Sequence, residues 1–233
     1  MAAKSSPGIS VTESVPLHEK VYLELVRALM SGHFQPGQKL TSRKVAQEIG
    51  TSDMPVRSAF KRLQALRALD SLPNGGVEVP SLSARSFANL VDARVIVEGS
   101  ATELAASRLN GNHMRTIRHH CKERSLAAKA GDIERYLQGN YDFKFSIYRH
   151  CGNEHLLFMI EALWLHAGPF LRKFAEGLEG SLSQVLDVDH HEKILAALEA
   201  KDPERARDAL VFDIRDGAEH LLTHAKFLAP DEE

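Results

Sequence analysis

The sequence predicts a mainly α-helical chain in two units: a small N-terminal unit of three helices and a hairpin, then an all-helical antiparallel bundle of six or seven helices. Three observations carry this expectation. Apolar residues recur with helical period over most of the chain. The turn formers Pro73, Asn74, Gly75, Gly76 and Pro80 crowd one stretch near residue 80. Charge changes sign there, with nine Lys/Arg against six Asp/Glu over 16–80 and nineteen against twenty-four beyond it. With 233 residues, both units have material for a core. Two cysteines, Cys121 and Cys151, are too few for a disulfide framework, and no apolar run approaches the roughly 20 residues that span a bilayer. Residues 1–15 are small and polar without an apolar h-region, and read as a disordered tail rather than a signal peptide. A reducing, cytoplasmic location is expected, with no membrane partner.

In the N-terminal unit, expected over 16–80, Leu17, Val21, Leu25 and Leu29 form one stripe on a helix that stops at Gly32. A second, short helix starts behind Thr41 or Ser42 as N-cap, turns Val45, Ala46 and Ile49 inward and ends at Gly50. The third begins at Ser52 as N-cap, with Pro55 in the first turn, where a missing N–H costs nothing. Helices joined by Gly50-Thr51-Ser52 make a helix-turn-helix. On the third helix Val56, Phe60 and Leu63 face one side. Arg57, Ser58, Lys61 and Arg62 face the other, offering cations and a hydroxyl to a DNA major groove. Short apolar-alternating runs around Asn74-Gly75-Gly76 make a hairpin, and the whole becomes a winged helix-turn-helix. The alternative is a helical interaction module without DNA, because most charge runs are only soluble surface.

A linker at 81–86 leads to a helical domain at 87–229, with helices expected at 84–109, 113–130, 132–150, 154–176, 183–200 and 203–227. Arg94 falls on the stripe of Leu90, Val97 and Ala101, with Glu98 one turn on. A guanidinium facing a core must be paired or lie in a pocket, so Arg94 is either half of a surface pair with Glu98 or a carboxylate-binding arginine. His220 and His224 have the i,i+4 spacing of metal ligands and equally that of a solvated face. Trp164 reads as core, and Cys151 as an inert buried thiol. No nucleophile elbow, phosphate-cradling glycine loop, HExxH helix or CxxC pair occurs, so catalysis has no visible carrier and an enzyme is not expected.

The stretch GHFQPGQKLTSRKVAQEIGTSDMPVRSAFKRLQAL, with PGQKL, Val45-Ala46, Pro55-Val56-Arg57 and Arg62-Leu63 in order, resembles the GntR family of bacterial transcription regulators. Residues 83–228 resemble the effector domain of its FadR-type members, through Arg94, Glu98, Phe143 to Asn153, His191, Ile194-Leu195, Asp202-Pro203 and Ala206. The resemblance implies DNA contacts from Arg43, Arg57 and the wing tip at Gly75 or Gly76; Ser52, Ser58, Lys61 and Arg62 are counted with them. Two departures stand out. Asp53 replaces a usual basic residue and can pair with Arg57 at i+4, and Arg67 replaces the glycine that usually closes the third helix.

The resemblance also implies a divalent-metal site, whose matched positions here are Asn140, Lys144, His191 and Asp213. Only His191 is unchanged. An ammonium cannot ligate a cation and an amide oxygen is a weak donor, so no cofactor is required and zinc or nickel is not expected. A metal, if held, would use His191, Asp213 and His220. Lys144, between Asp213 and His191, would instead supply the charge, in an effector pocket of Arg94, Asn140, Lys144, His191, Asp213 and His220. The expected protein is a repressor, homodimeric on a palindromic operator in double-stranded DNA, and modulated by a small carboxylate metabolite. A metal-binding regulator of the same family is the alternative.

Overall fold

The computed structural model describes residues 16–73, 75–176, 182–184, 190–225 and 227–228. The tail at 1–15, Asn74 of the hairpin and residues 185–189 of the expected helix 183–200 lie outside them. Nine α-helices and three short strands occur among the described residues: α1 (Leu17–Met30), α2 (Ser42–Ile49), α3 (Asp53–Ala65), α4 (Ala84–Ala106), α5 (Gly111–Ala130), α6 (Ile133–Tyr148), α7 (Glu154–Glu176), α8 (His191–Glu199) and α9 (Pro203–His224). The strands are β1 (Lys39–Leu40), β2 (Asp70–Ser71) and β3 (Val77–Glu78).

In the N-terminal unit, Val21, Leu25 and Leu29 of α1 are buried against the Val56, Phe60 and Leu63 face of α3. Leu17 is exposed, so the stripe begins one turn later than the spacing suggests, and Ile49 is also exposed rather than inward. Thr41, not Ser42, caps α2 by accepting from the Lys44 N–H. Ser52 holds the N-cap position of α3 with extended backbone but makes no capping bond. The hairpin is an antiparallel β2–β3 pair that adds β1 on the far side of β3, in the order β1-β3-β2. Gly75, at φ 80°, turns it with conformational freedom that a side chain would restrict. This is a winged helix-turn-helix.

Past Pro80 the chain enters α4 at Ala84, capped by the Ser83 hydroxyl. Asn110 and His113 form a reciprocal capping box on α5, Asp132 caps α6, and Asp202 caps α9 with Pro203 at its first position. Connections of a few residues make sequential helices antiparallel neighbours; α5 packs on α6, α8 on α9, and α9 on α4. Trp164, Phe143, Phe145 and Ile160 lie at the centre with no exposed surface. Of the expected helix 183–200, the described residues form α8, and a 3-10 turn lies at Leu182–Gln184.

The two units meet along α7. Gly168 of α7 lies so close to the end of α1 that an added Cβ would stand 2.2 Å from the Leu29 carbonyl oxygen. Only two bare backbones approach this closely. The Arg172 Nε–H donates to the Gly32 carbonyl at 2.6 Å, and Gln35 donates to Glu176 at 3.0 Å. Near the C-terminus, Leu228 pairs with Ser83, its N–H donating to the Leu82 carbonyl at 3.2 Å.

Candidate functional site

Two places concentrate unusual chemistry. The first is the outward face of α3. Arg57, Ser58 and Lys61 are exposed there, as are Arg43 on α2, Ser52 at the turn and Gly75 on the wing; Gly76 is buried. Two charged residues are tied up more than their sequence positions imply. The Arg57 Nε–H donates to Asp53 at 2.5 Å. The Asp53 carboxyl is held below the usual range, first by the Ser42 hydroxyl and then by Arg57. Arg62, expected on the DNA-facing side, instead turns to α1. It donates to Glu19 at 2.6 Å and stacks on Tyr22, 3.4 Å from the ring centroid. It lies one helical turn beyond the exposed Ser58 and the buried Ala59, at the edge of the polar face, where α1 can reach it.

The second place is a cavity of about 60 Å³ in the helical bundle. α4 brings Arg94, α6 brings Asn140 and Lys144, α8 brings His191 and α9 brings Asp213, all buried and all lining it. Lys144 Nζ donates to Asp213 Oδ2 at 2.5 Å. His191 Nδ1 lies 3.3 Å from Asp213 Oδ1, and its Nε2 lies 3.0 Å from Asn140 Oδ1. The His190 backbone N–H also donates to Asp213, at 3.0 Å. Burial alone would raise the Asp213 pKa, but Lys144 and His191 outweigh it and hold the group well below the usual carboxylate range.

Arg94 resolves the choice left open by its spacing: it is paired with Glu98, but not at the surface. Its Nε–H donates to Glu98 at 2.6 Å, and Tyr148 donates its hydroxyl to the other carboxylate oxygen at 2.5 Å. Burial, then the adjacent Glu98 carboxylate, pushes the Tyr148 hydroxyl well above the usual phenol range. Glu98 and Asp213 are thus fully engaged as acceptors. The donors are in surplus. Arg94 Nη1 and two of the three N–H groups of Lys144 have no hydrogen-bond partner among the described residues, and both side chains line the cavity.

The donor set does not fit a divalent metal. An ammonium stands against the one carboxylate, and the His191 nitrogens are directed to Asp213 and Asn140. Among the described residues no group of three or more His, Cys, Asp or Glu side chains could hold a metal ion. His220, expected with this group, lies elsewhere. It touches the outer side of Phe174 and stacks on His224, beyond the cavity wall. Seven residues return a helix to the same stripe but carry it about 10 Å along the axis.

Sequence reasoning missed His190, Tyr148 and, on the cavity wall, Phe87 and Phe174; Phe170, which reads as core beside Trp164, is buried and lines the cavity as well. The only signal for these phenylalanines is that Phe87, Phe170 and Phe174 occupy inward helical positions, which mark core and cavity alike. Trp164 and Cys151 are buried, as their setting suggests.

Comparison with known proteins bears on both places. Residues 17–79 match the model for bacterial regulatory proteins of the gntR family, and residues 89–215 match the FCD domain. The HTH-type transcriptional regulator McbR of Escherichia coli (strain K12) is 29% identical over 204 residues, covering 88% of this chain and 92% of that protein. A probable D-xylose utilization operon transcriptional repressor of Paenarthrobacter nicotinovorans is 29% identical over 192 residues, 82% of each chain. Among solved structures, E. coli McbR/YncC superposes with a TM-score of 0.79 at 29% identity, covering 87% of this chain and 95% of that one. A putative transcriptional regulator from Rhodococcus sp. RHA1, at 19% identity and TM-score 0.70, shares the fold over 90% of this chain and 99% of its own.

Proposed function

The chain belongs to the GntR family of bacterial regulatory proteins, with an FCD domain as its C-terminal part, and from that premise we propose a metabolite-responsive repressor whose bundle cavity takes a small organic anion without a metal. It is a transcription regulator and not an enzyme, as are the relatives it matches. Residues 16–80 form the DNA-binding unit, the short segment after Pro80 connects, and the helices beyond bind effector and dimerise. The regulator works in the cytoplasm. No described helix is long and apolar enough to cross a membrane.

The observation that carries the effector reading is the donor surplus in the cavity. The free N–H groups of Arg94 and Lys144 face the cavity, where an entering carboxylate satisfies both cations together. Lys144 supplies the positive charge at a position where the family resemblance implies a metal ligand. On DNA, Arg57, Ser58 and Lys61 enter the major groove of one half-site, with Arg43 and the wing at Gly75 on the flanking backbone. A homodimer sets two such helices a whole number of turns apart on a palindrome. An effector shifts the dimer between good and poor spacing, by no more than its difference in affinity for the two states.

The test is a mobility-shift titration against the protein's own upstream DNA, over a salt series and with candidate acids. Operator-selective binding that weakens steeply with salt and is released by an acid is expected. Binding that ignores every acid, or protein that retains stoichiometric zinc or nickel after dialysis, would overturn the effector reading.

A further inference from the structure

The cavity is charged at one end only, and this selects its ligand; at the other end Tyr136, beside Leu137, is the single polar side chain among the described lining residues. On each of three helices the polar lining residue lies about two turns from an apolar one: Arg94 from Phe87 on α4, Lys144 from Leu137 on α6, and Asp213 from Leu221 on α9. Seven or eight helical residues span about 10–12 Å. The polar residues share one end because they bond to, or lie beside, the Asp213 and Glu98 carboxylates. The apolar residues therefore share the other. That end is roofed by Phe87, Phe170 and Phe227, whose ring centroids lie 5.0 to 6.0 Å apart.

Resting on the reading of the cavity as the effector site, we propose that the effector is an amphiphilic monocarboxylate with a short hydrocarbon tail, not a dicarboxylate or a sugar acid. Its carboxylate meets the free donors of Arg94 and Lys144, and its tail lies among the phenylalanines. A second carboxylate or a row of hydroxyls would be buried among Phe87, Leu137, Phe170 and Leu221, with no cation and only the Tyr136 hydroxyl to meet it. At about 10–15 Å³ for each water-sized volume, a cavity of about 60 Å³ admits a ligand of about four to six non-hydrogen atoms. Gly217 also lines the cavity, and an added Cβ there would meet nothing within 4 Å, so this position opens onto free space.

The experiment titrates the full-length protein with formate, acetate, propionate, butyrate, succinate and gluconate, by calorimetry and thermal shift, and repeats it with Gly217→Leu. Affinity should rise about fourfold per methylene up to butyrate, and succinate and gluconate should bind at least tenfold more weakly than butyrate. Gly217→Leu should lose butyrate before acetate. Succinate or gluconate outranking butyrate, or affinity flat with chain length, overturns the monocarboxylate proposal and leaves the cavity as an anion site. If none of the six acids binds protein that still binds operator, the effector reading itself falls, and this proposal with it.

Discussion

Replacing Gly168 with alanine tests whether α7 joins the two units. The new Cβ would stand 2.2 Å from the Leu29 carbonyl oxygen and 2.7 Å from that of Met30, whereas even close C–H···O contacts need about 3.3 Å. Both partners are backbone, so no side chain can swing away. The end of α1 must retreat by about 1 Å, which breaks the Arg172 to Gly32 bond now at 2.6 Å. Overpacking costs about 1–3 kcal/mol and a lost hydrogen bond to a charged group about 1.5–3, less up to about 1 returned by alanine's helix propensity. A net loss of about 3 kcal/mol corresponds to about 6–12 °C in melting temperature for a chain of this size. Differential scanning calorimetry should show that drop, and trypsin should cut between the units faster. Gly217→Ala, with nothing near its Cβ, is the control and should melt at or slightly above the wild type. If Gly168→Ala melts within 2 °C of wild type, the close approach described here is wrong.

Other expectations follow from single contacts. Asp53→Ala frees Arg57 and removes a carboxylate from the DNA-facing helix, so operator affinity should rise and its log–log salt slope steepen by about one phosphate's worth. Arg57→Ala should cost about 1–3 kcal/mol of binding, measured by anisotropy. Lys144→Met strands a buried carboxylate and should destabilise by about 3–5 kcal/mol in urea, whereas Lys144→Met with Asp213→Asn should recover most of it. The folded-state pKa of Asp213 lies below its unfolded value of about 3.9. Its stabilisation is therefore complete above about pH 4 and is lost as pH falls through the folded value. Asp213→Asn should flatten that acid limb; an unchanged limb would show that another group governs it. Arg67 sits at φ 55°, where a side chain costs about 1–2 kcal/mol and glycine's extra chain entropy about 0.5–1. Arg67→Gly should accordingly stabilise the protein by up to about 1 kcal/mol in a denaturant melt.

Helix periods and caps in the sequence delimit most elements, because amphipathic stripes and Gly or Asp-Pro stops act locally. The convergence of Asn140, Lys144, His191 and Asp213 was reached through family resemblance; periodicity alone places each on an inward stripe and says nothing of which stripes meet. His220 shows the limit of stripe reasoning, since the same face two turns on lies behind the Phe174 ring. Arg62 shows another: its partners Glu19 and Tyr22 sit on a different helix, so the sequence presents only a cation among cations. Arg67 is legible in hindsight. The missing glycine marked a backbone position that needs positive φ, and the chain adopts that φ regardless. Gly168-Pro169 lies inside an uninterrupted helical pattern, and the reason for a glycine there exists only once α1 is packed against it.

That helix serves two masters. Phe170, Leu171 and Phe174 of α7 touch the cavity, while Gly168 and Arg172, interleaved among them, hold α1. A mutation that reshapes the cavity from α7 also disturbs the joint to the winged helix. α9 packs chiefly on α4 and α8, and presents Gly217 and Ala218 to the same cavity. Descendants of this regulator that acquire a taste for new metabolites should therefore diversify on α9 first, and keep α7 as their common inheritance.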